Sequence, residues 1–251
     1  MLQPDSLLIR ARLAEIYALE GQDWKGTDLF ADLGATTASS LNIADQYFIA
    51  GQYAAAALWY EHEAGESGSL PSDAEFRHVM ALYRLNGAKG LEQLKGDSGV
   101  AILVASEGVR ITGSSLRMLQ DLSSLGVRYG ESIADAFERT GNPSPAPSGV
   151  LWIQTSAGVM LAVPEPGRYQ LEVVARHRGP APANMVVALD ERHVGTVSVA
   201  PEEGMWEKRD WIVELSRGLH LISIEFTNPL FVEGAEDRKL EIASLRLRRF
   251  P

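Results

Sequence analysis

Two neighbouring stretches decide how the second half of this chain folds: Ile222-Ser223-Ile224-Glu225-Phe226-Thr227-Asn228-Pro229 and Glu236-Asp237-Arg238-Lys239-Leu240-Glu241-Ile242. Ile222, Ile224 and Phe226 alternate with polar residues, so one face of an extended segment is apolar and the other polar. Asn-Pro ends the pattern, because proline has no amide hydrogen to give to a sheet. A short acidic loop follows, then Asp-Arg, then a second alternation through Leu240 and Ile242. The apolar positions resume at Leu245 and Leu247 with the opposite parity, which predicts a β-bulge at Ala243-Ser244.

Working upstream, Tyr169, Leu171, Val173 and Ala175 alternate behind Pro166-Gly167. Met185, Val187 and Leu189 alternate up to Asp190, and Trp211, Val213 and Leu215 form another such set. Short strands separated by regular turn signals predict an antiparallel β-sandwich of jelly-roll type, each sheet having one face solvated. The segment Gly141-Asn142-Pro143-Ser144-Pro145-Ala146-Pro147-Ser148-Gly149 is rich in proline and glycine and reads as a linker. The expected organisation is therefore an α-helical domain over residues 1–140, a linker over 141–149 and the sandwich over 150–251.

The N-terminal part has helical spacing. Ala44, Tyr47 and Phe48 share one helix face, Gly51-Gln52-Tyr53 turns the chain, and Ala56, Trp59, Tyr60 and Glu63 continue on a second helix. Ala44, Tyr47, Gly51, Tyr53, Ala56, Trp59 and Tyr60 resemble a tetratricopeptide repeat, which implies a helical solenoid able to dock a protein partner. Looser copies run through Leu8, Ala11, Leu13, Ile16 and Tyr17 with Trp24, Leu29, Phe30 and Leu33. Others run through Phe76, Val79, Met80 and Tyr83, through Leu91 and Leu94, and through Leu116, Leu119, Leu122, Ile133, Ala136 and Phe137. Ala101-Ile102-Leu103-Val104-Ala105 fits a buried helix or a strand equally well.

The order of features from Gly167-Arg168-Tyr169 through Leu189-Asp190, Val194-Gly195-Thr196 and Gly218-Leu219-His220 to Asn228 and Asp237-Arg238 resembles the calcium-dependent carbohydrate-binding modules of the xylan-binding type. The resemblance implies a non-catalytic domain that binds a polysaccharide, with Ca2+ held between the last two strands. The side chains of Asn228, Glu233, Glu236 and Asp237 offer oxygens there, and calcium takes six to eight hard oxygens, two of which a sugar's vicinal hydroxyls can supply. Pro229 stands where the family has a second Asp, and Lys239 where it has Asn. Trp206 and Phe231 are candidate sugar-stacking rings, with Trp152 as a third; Trp211 falls on a core-facing parity.

Other classes have little support. The five histidines show no metal-ligand spacing, and there is no nucleophile elbow or phosphate-binding loop. Gly113-Ser114-Ser115 reads as a helix N-cap. The net charge of -10 does not suit a phosphate backbone, so no nucleic-acid partner is expected. Residues 1–140 carry 11 basic against 19 acidic side chains, the remainder 12 against 14. Arg246, Arg248 and Arg249 read as charges guarding a strand edge. There is no cysteine, no apolar run long enough to span a bilayer and no visible signal peptide. Two functions emerge. One is a glycan-recognition and protein-docking protein of the bacterial envelope, periplasmic or extracellular. The other is a structural subunit with a degenerate sandwich, peripheral on a larger membrane-extrinsic assembly.

Overall fold

The computed structural model describes residues 40–93, 101–103, 108–122, 125–139, 148–179, 181–200, 205–231 and 237–250. The chain forms two compact units, Met1–Gln93 and Leu94–Pro251.

In the first unit, α1 (Ser40–Ile49), α2 (Tyr53–Ser67) and α3 (Ser72–Asn86) are followed by a 3-10 turn over Gly87–Gln93. Gly51 lies between α1 and α2 with φ +73°, a backbone state that favours glycine. Ala44, Tyr47, Ala56, Trp59 and Tyr60 are buried, and Ala56 and Tyr60 are wholly inaccessible to solvent. The side chains expected to pack at a helix crossing therefore do so. α3 buries Phe76, Val79 and Met80, and also the guanidinium of Arg77. Arg77 donates from Nε and Nη2 to the two carboxylate oxygens of Asp45 on α1, at 2.8 and 3.2 Å, and from Nη1 to Asp73 at 3.1 Å. The Tyr60 hydroxyl of α2 donates to Asp45 at 2.6 Å, so one polar knot joins all three helices. Burial first, and then the charge of Asp45, push the Tyr60 phenol far above its ordinary range.

The three described helices show one helical pair with a third helix against it, and the repeat is not shown to continue into a solenoid. The expected copy over residues 8–33 lies outside the described residues, as does Leu94. The copy over 116–137 belongs to the second unit, and only Ile133–Arg139 (α4) is helical there. Leu116 follows a 3-10 turn over Gly113–Ser115, and Leu122 bridges Val127. The Gly-Ser-Ser segment is that turn, not the cap of a longer helix.

The second unit is a β-sandwich. Its strands are β1 (Ala101–Leu103), β2 (Val109–Thr112), β3 (Arg117–Met118), β4 (Gly149–Leu151), β5 (Thr155–Val163), β6 (Gly167–Arg178), β7 (Ala183–Leu189), β8 (Arg192–Val199), β9 (Glu207–Leu215), β10 (Gly218–Phe226) and β11 (Lys239–Arg249). One sheet runs β1-β5-β10-β7-β8 with β3 beside β5; the other runs β2-β11-β6-β9 with β4 beside β11. The inward alternation is the expected one: Tyr169, Leu171, Val173, Met185, Val187, Val213, Leu215, Ile222, Ile224, Phe226, Leu240, Ile242, Leu245 and Leu247 share one core. The register shift predicted in the last strand falls between Ile242 and Ser244.

Three corrections follow from the pairing. First, residues 101–118 do not belong to a helical domain. Ala101–Leu103 pair in parallel with β5, and Val109–Thr112 pair with β11. The units divide between Gln93 and Leu94, and Gly149 of the expected linker is itself in β4, opposite Ile242. Second, β5 is a strand that alternation does not reveal. Eight of its nine residues are buried, so no polar face marks it. The sheet that contains it is therefore not half solvated along β5 and β10. Third, β11 has strand partners on both sides as far as Leu247, so Arg246 guards no edge, while Arg248 and Arg249 pair with β6 alone among the described strands.

Candidate functional site

The strand register gathers the candidate residues. Arg178 lies opposite Lys239, Ala175 opposite Glu207, Ala183 opposite Val199 and Met185 opposite Phe226. The last residues of β6, β8 and β10 and the first of β7, β9 and β11 therefore sit at one end of the sandwich. Trp206 directly precedes β9, Asn228 and Phe231 follow β10, and Asp237 precedes β11, so all four lie at that end. Glu233 and Glu236 are outside the described residues.

Asn228 acts here as a clasp. Its side-chain oxygen accepts the backbone N–H of Asn184 at 2.6 Å, and its side-chain nitrogen donates to the carbonyl of Pro182 at 3.1 Å. Its own carbonyl accepts from Arg238 Nη1 at 2.9 Å. Arg238 also pairs through its backbone with Leu230, which closes the base of the loop. Among the described residues, Asn228 is thus committed to tying β10 to the start of β7, and Pro229 brings no side-chain oxygen. No group of three or more His, Cys, Asp or Glu side chains suited to a metal occurs among the described residues. Of the candidate calcium ligands, Asn228 and Asp237 are among the described residues, and the side-chain oxygen of Asn228 is engaged by the Asn184 N–H.

Trp206 is differently placed. It is 41% exposed, with the Arg176 guanidinium 4.3 Å from its ring centroid. A cation over an indole face is attracted by the ring quadrupole. Arg176 is held in turn by a two-pronged contact with Glu241, Nε to Oε2 at 2.8 Å and Nη2 to Oε1 at 3.0 Å. Arg178 Nε donates to the same Oε2 at 2.7 Å. Glu241 is fully buried, although its parity points it away from the core. Burial alone would raise its carboxyl pKa. Hydrogen bonds from Arg176 and Ser148 and the charges of Arg176 and Arg178 outweigh that and hold it below the ordinary value. A buried carboxylate thus fixes a guanidinium, which fixes an exposed indole. Sequence reading found Trp206 but not this support, which depends on residues 65 positions apart meeting across β6 and β11.

The other aromatic candidates divide. Phe231 is 62% exposed beside the half-exposed Leu230. Trp152 packs against the core and lies 5.1 Å from Phe137, ring centroid to ring centroid. Trp211 also packs on the core.

Residues 170–249 match the family model described as a Ca-dependent carbohydrate-binding module, xylan-binding. Solved structures similar to this chain include carbohydrate-binding modules and glycoside-acting enzymes. One is a CBM36-1 domain of a multidomain xylanase from the hindgut metagenome of Trinervitermes trinervoides, at 11% identity and TM-score 0.39 over 58% of this chain and 99% of that one. Another is a family 35 carbohydrate-binding module from an environmental isolate, at 13% identity and TM-score 0.31 over 39% and 72%. A third is the C-terminal family 6 module of a marine laminarinase from Zobellia galactanivorans, at 17% identity and TM-score 0.29 over 38% and 73%. No curated protein matches the chain.

Proposed function

We propose that the unit Leu94–Pro251 forms a non-catalytic glycan-recognition module and that Trp206 is its main sugar contact. The observation that carries this is the exposed indole held by the Arg176–Glu241 pair, at the end of a sandwich whose strands match a xylan-binding module family. A pyranose presents a flat face of C–H groups. An aromatic ring already fixed in place takes that face with little loss of side-chain freedom. Phe231 and the hydroxyl-binding potential of Arg178 and Asp237 flank the same end. In the fuller reading the protein works in the bacterial envelope, and α1–α3 dock a protein that positions the module. No described helix is long and apolar enough to cross a membrane.

Calorimetric titration with soluble xylan tests this, with calcium and with chelator. Xylan should bind, and Trp206→Ala should weaken it about five- to thirtyfold, the loss of one aromatic stacking contact worth ~1 to 2 kcal/mol. Unchanged binding by the variant would remove Trp206 from the site.

The Asn228 clasp favours a second reading, in which the sandwich is a structural subunit without a ligand. There calcium leaves the melting temperature unchanged, no polysaccharide binds, and the protein co-purifies with a larger assembly. A calcium-dependent rise in melting temperature that Asp237→Ala abolishes would instead support a metal in the 228–237 loop.

A further inference from the structure

The outward face of the β2-β11-β6-β9 sheet carries charges that the proposed contact at Trp206 does not use. The register lays them in rows. Arg110 of β2 lies opposite Arg246 of β11, Arg246 opposite Glu172 of β6, and Glu172 opposite Asp210 of β9. In the next row Arg248 lies opposite Gln170, and Gln170 opposite Ile212. Arg110, Arg246 and Arg248 are all exposed. Of the carboxylates on this face, Glu172 and Asp210 are engaged by one lysine, with Lys208 Nζ 2.5 Å from Glu172 and 3.7 Å from Asp210, Glu241 is held by Arg176 and Arg178, and Glu214 lies opposite Arg168. Arg248 is steadied by Gln170, with its Nε donating to Oε1 at 2.7 Å. Among the described residues, Arg110 and Arg246 have no carboxylate partner.

Like charges directly opposite one another on adjacent strands are destabilising. Guarding an edge accounts for Arg110, on the outer strand β2, but not for Arg246, because β11 is flanked there by β2 and β6. General basicity does not explain them either, because the chain carries a net charge of -10. Ile212, 43% exposed, lies in the Arg248–Gln170 row and gives the face an apolar contact, while Val174 lies two rows away across Glu172 and Asp210. A fitting occupant has flat apolar faces and carboxylates at intervals, and guanidinium groups take carboxylates in pairs of parallel hydrogen bonds.

We propose that this sheet face binds a uronate-bearing polysaccharide, with Arg110 and Arg246 sharing its carboxylates and Arg248 beside them. This rests on the module being a glycan binder and adds the chemical class of the glycan. The site is independent of the 228–237 loop.

The test uses the intact chain with chelator present throughout. The probes are polygalacturonate, the same polymer with its carboxyls reduced, and neutral xylan. Polygalacturonate should bind at least about tenfold tighter than its reduced form, as one or two charge-assisted contacts imply. Added salt should erode that advantage. The double variant Arg110→Ala/Arg246→Ala should remove it while leaving neutral xylan binding unchanged. Arg192→Ala on β8, which removes one positive charge from the other sheet, should have no effect. Without ligand, the double variant should melt no lower than the parent chain, since repulsion is relieved. Equal affinity for the acidic and reduced polymers, with xylan still bound, overturns this proposal and leaves the module reading standing. Failure of every glycan, xylan included, overturns both. A dimer that the double variant abolishes would assign the face to a second, acidic copy of the chain and likewise overturn the proposal.

Discussion

His220 shows how much one buried side chain can control. Its Nδ1 lies 2.7 Å from Asp190 Oδ2 and its Nε2 lies 2.9 Å from the Ser216 carbonyl. The Asp190 carboxylate and the Ser216 carbonyl only accept, so this geometry favours the charged imidazole with both ring nitrogens donating. Burial would lower its pKa, but the hydrogen bonds to Asp190 and Ser216 and the charge of Asp190 outweigh that and raise it. Asp190 also accepts the Leu221 N–H at 2.9 Å. It sits with Glu191 in a two-residue turn where both have positive φ, +49° and +63°. A pKa raised in the folded state gives stability that is complete below the unfolded value of about 6.5 and lost as pH climbs through the folded value. The melting temperature should therefore fall as pH rises above about 6.5, and His220→Gln should flatten that fall. Equal slopes for both proteins would show that the ring is not charged in the fold.

Among the elements, β8 and β9 meet through a single absent side chain. Gly195 on β8 faces the Trp211 indole, and a Cβ there would overlap the ring nitrogen. Gly195→Ala should cost about 1 to 3 kcal/mol in chemical denaturation, because a rigid ring cannot yield without moving its strand. Trp211→Leu should restore most of that loss in the double variant. Full additivity of the two changes would show that they do not meet. The elements also show where sequence was readable. β6, β7, β9, β10 and β11 alternate because one face of each meets solvent, and the bulge before Ser244 showed as a change of parity. β5 has no such face, so its apolar run carries no period. The pair Gly51 and Ala56 marked the α1–α2 turn because backbone freedom and a close crossing each allow few residues. The commitment of Asn228 could not be read, since its partners Pro182 and Asn184 lie 46 and 44 residues earlier in the chain.

At the scale of the molecule, the sandwich begins well before the proline-rich segment. β1 adds to β5, β2 and β4 add to β11, and Ile111, Leu116, Met118, Val127 and Ile133 are buried in its core. A fragment of residues 94–251 should melt cooperatively with the circular dichroism of a β-protein. A fragment of residues 148–251 should melt well below it or aggregate, because β5 and β11 each lose a partner and the core loses those side chains. Equal melting temperatures for the two fragments would return the boundary to residues 141–149. The proline-rich composition misled because extended, turn-rich chain joins strands within a domain as readily as it joins domains.

The interior place of β11 sets an order of events during synthesis. Ser244 pairs with Thr112, about 130 residues earlier, and β6 meets β11 along almost its whole length. Until residues 239–249 leave the ribosome, β2, β4 and β6 lack the strand they share, and the five-stranded sheet cannot close. The emerging chain therefore carries unpaired β-edges from the synthesis of β2 until that of β11. Contacts so distant in sequence also make closure slow once the chain is free. Producing this protein in quantity thus depends on holding those edges apart until the last strand arrives, and a chaperone or a lowered growth temperature should raise the soluble yield more than any change to the helical unit.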